Sequence, residues 1–507
     1  MSLNIYKHLN NIIFFILIFF SQIYSPVISD DWFFNNNFKY FLIDRPLATF
    51  FIINIHQYIN TDSFIDFFKI SKILYIFLNY FLLYKFFSIF IEKNLSQIYS
   101  FIAIFYPLHD SANYQIWSIV HQFCMILPLY AYYLIEKNKN KLAYIIFISS
   151  SFLSYTAIPS QFSIIINMIR NNKKNISIIL LILFLIYIFY HLFVSLYLNL
   201  GTKIIGTGFT DIKTTLFEII NVKNILIHIL TFIDIFVGPS HFIKIIYPLL
   251  NNSLSTAVLS LLLAFYFIKK QSYEKIYETK SLKNLFAIII SVVIISQLLL
   301  IISTKFISIP FGLGNRVNIY ISLLITLILL KISLPKNKIF IFFIFFIFFL
   351  TFFGTNNYWK KVNIKNIELK EEIYKLSREY TNKQIILKNV EYVKFFNFKH
   401  VELVNFQYSL DHFIKYYNIS TNTNKFNLLK EIKLDELSNQ DNIIIFNFES
   451  KELTKVDSFI DLQKQYKEYN DYYKYRHWIQ YLDLSNFKFL LPVHYESKFI
   501  SNTLRNE

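Results

Sequence analysis

The sequence predicts a polytopic α-helical membrane protein of about eleven transmembrane segments with a small C-terminal α/β domain. Three observations predict it. Of 507 residues, 55% are hydrophobic and the mean hydropathy is +0.41, too apolar for a soluble chain of this length. Apolar stretches of membrane-spanning length recur along residues 1–356. From 357 to 507 those stretches stop and charge rises, which divides the chain into a membrane domain and a soluble one.

Spans are expected near 12–29, 73–91, 95–108, 115–135, 142–158, 160–169, 176–198, 252–269, 284–303, 317–334 and 338–354. The first is expected as an uncleaved helix, because no Ala-x-Ala-like processing site follows it. The stretch 160–169 is too short to cross alone and is expected to pair with its predecessor around Ala157-Ile158-Pro159-Ser160. Segments 48–72 and 212–247 are apolar but interrupted by His56, Asp62, Asp66, Lys69, Glu218, Lys223 and Asp234. That pattern suits amphipathic helices lying in the interface.

Charge sets the orientation. Segments 137–141, 170–174, 269–283 and 331–338 are short and basic, which places them and the N-terminus inside. The alternating loops 30–64, 109–114, 199–251 and 304–316 then lie outside, with the tail from Thr355. All seven glycines, Gly201, Gly206, Gly208, Gly238, Gly312, Gly314 and Gly354, fall in those outer loops or at an outer helix end, concentrating backbone freedom on one side. Trp32, Trp117 and Trp359 fall at outer interfaces, as in an aromatic belt.

In the tail, Leu369, Ile373, Leu376 and Tyr380 form a helical stripe. Strand-like runs follow at 384–387, 401–404, 442–446 and 489–491, so helix and strand interleave as in an α/β domain.

Several functions are excluded or weakened. Seven glycines leave no Walker A and no G-x-G-x-x-G. Cys124 is the only cysteine, so no intrachain disulfide forms, and no His-Glu-x-x-His or Cys/His cluster points to a metal. The residue menu, rich in Ile, Phe, Asn, Lys and Tyr, is that of AT-rich coding. The net charge of +17 is therefore weak support for an anionic partner, and no nucleic acid is expected.

Ionisable groups at membrane depth are costly and default to functional hypotheses. The first outer loop holds Asp30, Asp31, Asp44 and Arg45; the second holds His109 and Asp110 with no basic residue; the fourth holds Gly312-Leu313-Gly314-Asn315-Arg316. Plainer roles stand beside the functional ones. Asp30 or Asp31 suits a helix N-cap, Arg316 an interfacial anchor and His109 an interfacial hydrogen bond. The acidic pair matches a metal-ligand pair only loosely.

An apolar first span opening into an acidic loop, then an interfacial stretch, a second acidic loop, many spans and a folded outer tail resembles the GT-C superfamily of membrane glycosyltransferases. The segment Asp30-Asp31-Trp32 … Asp44-Arg45-Pro46-Leu47 is similar to the start of bacterial members, where an acidic pair precedes an Arg-Pro-Leu-like segment. The topological likeness covers roughly 1–356, and the motif likeness about 29–49 plus His109-Asp110 by position. Where members commonly carry Gly before that Arg, this chain carries Asp44. The resemblance implies a bacterial plasma-membrane protein that moves a sugar, with inversion, from a polyprenyl-phosphate carrier to a glycan, lipid or protein acceptor.

The residues fit that chemistry. A carboxylate within reach of an acceptor hydroxyl can take its proton as the bond forms, a contribution of roughly 10²–10⁴-fold. The leaving phosphate needs charge stabilisation, which Arg supplies bidentately. Asp30 or Asp31 is expected as base, Asp110 as a further catalytic-site carboxylate or acceptor ligand, His109 as a supporting residue, and Arg45 with Arg316 on the phosphate. No dissociable cofactor is required, and a divalent cation is compatible with the site. Two rivals stand. One is a flippase or transporter of lipid-linked sugars, which usually carries Gly/Pro-broken helices at the midplane. The other is a polymerase of glycan repeat units.

Overall fold

A computed structural model describes residues 2–23, 25–26, 46–47, 61–197, 222–270, 279–303, 311, 313–333, 338–390, 392–396, 398–404, 407–417, 419, 425–429 and 443–455. The chain forms two compact units. One comprises Met1–Ser25, Asn36–Pro310 and Gly314–Tyr358; the other comprises Pro26–Asn35, Phe311–Leu313 and Trp359–Glu507.

The first unit is helical. Its helices are α1 (Ser2–Gln22), α2 (Thr61–Phe87), α3 (Lys93–Phe105), α4 (Ser111–Tyr114), α5 (Ile116–Glu136), α6 (Asn140–Leu153), α7 (Ile158–Arg170), α8 (Lys174–Tyr197), α9 (Val222–Val237), α10 (Pro239–Leu250), α11 (Leu254–Lys270), α12 (Thr279–Ser303), α13 (Ile319–Ser333) and the start of α14 (Lys338–Glu379). Among the described residues, six segments are long and apolar enough to cross a membrane: Ile70–Phe87, Ser118–Glu136, Lys174–Val194, His228–Leu250, Leu282–Ile302 and Lys338–Glu379. The protein is thus an integral membrane protein by length and composition. Four shorter apolar helices, Leu9–Gln22, Asn140–Leu153, Leu254–Lys269 and Ile319–Ser333, accompany them.

Several ends follow from local chemistry. Helices α5 and α7 close in the same way. Asn138 and Asn172 adopt the left-handed conformation (φ 58° each), and Lys139 N–H and Lys173 N–H reach back to the Leu134 and Met168 carbonyls at 2.8 and 2.9 Å. This is the Schellman arrangement, with Asn where glycine is commoner. Helix α3 stops at Tyr106, whose extended backbone (ψ 133°) suits a residue before proline.

Helices α9 and α10 form where 212–247 is expected to be helical, and they meet at a break inside an apolar run, His228–Leu250, of spanning length. Gly238 and Pro239 make the break, and a Cβ at Gly238 would collide with the Asp234 backbone. The structure departs from expectation at two places. The expected span 338–354 does not end at Gly354, because α14 runs 42 residues to Glu379. Gly354 sits mid-helix where the Pro248 carbonyl of α10 presses against it, leaving no room for a Cβ. Segment 95–108 yields only the 13-residue α3, and 142–158 and 160–169 yield the 14- and 13-residue helices α6 and α7, so about eleven full spans are not what the helices provide.

Between lipid-embedded helices the driving forces are van der Waals packing and interhelical hydrogen bonds. Aromatic stacks supply the first: Phe14 on Phe267 (5.0 Å between centroids) and Phe267 on Phe349 (5.6 Å) join α1, α11 and α14. Buried amides supply the second. Asn10 donates to Gln97 (3.0 Å), Gln97 to Asn11 (2.6 Å) and Tyr266 to Asn10 (3.0 Å).

The second unit begins along α14, which buries Leu369, Ile373 and Leu376 of the expected stripe, while Tyr380, its fourth member, lies just past the helix end and is half-buried. Its strands are β1 (Gln384–Lys388), β2 (Tyr392–Phe395), β3 (Phe398–Glu402), β4 (Lys425–Leu428), β5 (Ile443–Asn447) and β6 (Glu452–Lys455), with α15 (Gln407–Tyr416) between β3 and β4. A four-stranded mixed sheet has order β4-β1-β5-β6, with β1 parallel to both neighbours and β6 antiparallel to β5; β2 and β3 pair separately. The run 384–387 and the described part of 442–446, from 443, are thus strands, 401–404 is partly so, and 489–491 lies outside the described residues. Trp359, expected in an aromatic belt, is 1% exposed and packs edge-on to His400.

Candidate functional site

The second acidic segment, Tyr106–Gln115, is wholly buried in the first unit. Pro107 starts a single 3-10 turn ending at His109, and the short helix α4 follows. This compact path leaves the last carbonyls of α3 in need of donors. His109 Nε2–H and Asn113 Nδ2–H both donate to the Ile104 carbonyl at 2.8 Å. A carbonyl can only accept, so Nε2 carries the proton and Nδ1 accepts from Ser322 Oγ at 2.7 Å. Burial pushes the His109 pKa down to about 4, against smaller opposing contributions from its backbone bond and from Asp110. His109 is therefore a neutral ring with both nitrogens engaged, holding α3 to α13.

Asp110 is 2% exposed, and Lys244 of α10, at 0% exposure, donates to its Oδ1 at 2.8 Å. Asn315 Nδ2 donates to the same oxygen at 2.7 Å, and Ser111 Oγ donates in turn to Asn315 Oδ1. A buried charge is tolerated only when it is paired and hydrogen-bonded, and both conditions are met for this carboxylate. Three residues before Lys244, His241 Nδ1–H donates to the Ile235 carbonyl (2.9 Å), leaving Nε2 to accept from Tyr106 O–H at 3.0 Å. Helix α10 thus grips the segment at Tyr106 and Asp110. The Gly238 break makes this possible, and Asp234 Oδ1 accepts the Ser240 N–H of the new helix start at 3.1 Å.

The chain just after α1 also reaches this segment. Ser25 Oγ donates to the Tyr114 carbonyl at 3.2 Å, and Lys72, fully buried on α2, donates to Ser25 Oγ at 3.2 Å. Tyr114 O–H donates to Asn356 of α14, and burial holds that phenol well above its ordinary pKa.

Of the expected site residues, Asp110 and His109 lie here. Arg316 lies in the 3-10 turn Leu313–Asn318, directly after Asn315. Asp30, Asp31 and Arg45 lie outside the described residues. Lys244 and Lys72 were not anticipated. Lys244 stood in a stretch read as interfacial, but a lone lysine within Phe242–Leu250 was the available signal. Among the described residues, no group of three or more His, Cys, Asp or Glu is placed to hold a metal ion. Comparison with protein-family models, with curated proteins and with solved structures gives no match.

Proposed function

We propose that the protein is a membrane glycosyltransferase of GT-C type, moving a sugar from a polyprenyl-phosphate carrier to a glycan, lipid or protein acceptor on the outer face. The supporting observation is the meeting of two segments that the sequence singled out as polar, joined by the chain that leads to the first loop. Asn315, which precedes Arg316, and Ser25, between α1 and the first loop, both bond to the Tyr106–Gln115 segment. In the proposed reaction the acceptor oxygen attacks the anomeric carbon, the bond from that carbon to the phosphate oxygen breaks, and polyprenyl phosphate leaves. The acceptor proton passes to Asp30 or Asp31. Asp110, buried and paired, is a positioning residue, since a base must reach the proton it removes. Arg45 and Arg316 are assigned to the leaving phosphate.

A specific observation favours a second reading. The Gly238-Pro239 break inside an apolar helix, beside a buried ion pair, is the kind of feature transporters use at their binding sites. The two readings separate in sealed vesicles containing the purified protein and a polyprenyl-phosphate-linked, radiolabelled hexose. Transfer predicts acceptor-dependent release of free polyprenyl phosphate. Movement of intact donor across the bilayer with no release would favour the transporter.

A further inference from the structure

Five helix turns of the first unit gather on one side and carry almost only positive charge. Lys173 Nζ on the α7–α8 turn meets Glu136 Oε1 at the end of α5 at 2.7 Å. Arg170 Nη2 at the end of α7 donates to Asn284 Oδ1 near the start of α12 at 2.8 Å. Lys331 at the end of α13 lies 5.8 Å from the Phe286 ring of α12. Phe90 on the α2–α3 turn stacks on Tyr132 in the last turns of α5, centroids 6.0 Å apart. The described residues of these turns, 85–93, 136–141, 170–174, 283–286 and 331, include ten basic and two acidic side chains, Glu92 and Glu136. Glu136 is already matched by Lys173. Lys139, Lys141, Lys174 and Lys283 are exposed and make no ion pair with a described residue.

Depth is the second observation. Lys85 lies two residues before the end of the apolar segment Ile70–Phe87, Lys137 directly follows Ser118–Glu136, Lys174 opens Lys174–Val194, and Lys283 is the second residue of Leu282–Ile302. Cations at the ends of spans stand at headgroup level, where the hydrocarbon gives way to phosphate. Lys85 and Lys137 also rest over the rings of Phe81 and Tyr133, at 5.0 and 6.0 Å, so their stems lie back over the last turn of each helix. The two Schellman turns hold Lys139 and Lys173 in equivalent places.

We infer that this face is a binding surface for anionic phospholipid headgroups, with Lys139, Lys141, Lys174 and Lys283 as its unpaired contacts. Charge complementarity selects the occupant: a phosphate-bearing headgroup without a compensating cation is the anion that a membrane-embedded face meets at that depth. The surface does not depend on the glycosyl-transfer reading.

Spin-labelled phosphatidylglycerol and phosphatidylcholine, each present at trace level in phosphatidylcholine vesicles containing the full-length protein, test it. The motionally restricted fraction gives the relative affinity. Phosphatidylglycerol is expected to be preferred about fivefold at low salt. The preference should approach unity near 1 M salt, where the Debye length falls to about 3 Å. It should fall at least by half in Lys139→Gln/Lys141→Gln/Lys174→Gln/Lys283→Gln. Equal affinity in the wild type, a salt-insensitive preference, or an unchanged preference in the variant would overturn the assignment. Loss of the preference on adding inorganic phosphate at constant ionic strength would assign the face to free phosphate and would overturn it too. The salt arm reads the wild type alone, so it stands even if the variant fails to insert.

Discussion

Lys244 reaches Asp110 across 134 residues of chain, Nζ to Oδ1 at 2.8 Å, with both side chains closed to water. Removing one partner of such a pair strands the other charge and typically costs about 3–5 kcal/mol. Asp110→Asn and Lys244→Met should each lower the thermal unfolding midpoint in detergent markedly. The double variant should lose clearly less than the sum, because neither charge is then left alone. Additive losses would show that the two residues act independently.

His109 gives a pH dependence with a definite sign. Its folded pKa, about 4, lies below the ordinary histidine value of 6.5, so the unfolded chain binds more protons between those limits. Its contribution is fully present above pH 6.5 and is lost as pH falls toward 4, on the order of 3 kcal/mol in all. Asp110 eases protonation and Lys244 opposes it, so neither neighbour alone sets the window. Unfolding midpoints measured from pH 7.5 to 4.5 should fall less steeply in His109→Gln than in the wild type. Parallel slopes would remove His109 from this role.

Gly354 of α14 packs directly against the Pro248 carbonyl of α10. Backbone cannot yield as a side-chain tip does. Gly354→Val should therefore destabilise by about 1–3 kcal/mol, and Gly354→Ala by less. Thermal unfolding reads both, and a neutral Val variant would mean that the two helices part easily.

The basic turns define one side of the membrane by charge. A reporter fused after Glu507 is expected to read outside, and one inserted after Lys139 to read inside. Both on one side would overturn the orientation and, with it, an outer-face reaction.

Much of this was legible in the chain because it is written locally. Runs such as Lys174–Tyr197 and Thr279–Ser303 declare themselves by composition alone, and the Leu369, Ile373, Leu376 stripe by its period. Strands β1 and β5 show as Ile-rich runs, whereas the short β4, with Phe426 and Leu428, and β6, with Leu453 alone, do not. The site was harder to see. Lys223 and Asp234 make the stretch around α9 and α10 read as an amphipathic helix, in which Lys244 passes as one more polar interruption. Gly354 and the polar Thr355, Asn356 and Asn357 looked like a helix end, yet a mid-helix glycine costs only about 1 kcal/mol, and packing against Pro248 outweighs it. Asp110 stands out in the sequence by its type and place; that its partner lies on a broken helix is a property of the tertiary fold.

The most direct test of glycosyl transfer is the release of polyprenyl phosphate from a polyprenyl-phosphate-linked, radiolabelled hexose by vesicles holding either the wild type or Asp30→Asn/Asp31→Asn. Loss of the proposed base should lower release at least about 100-fold, with membrane insertion and unfolding midpoint unchanged. Release at the wild-type rate by the double variant would contradict the account.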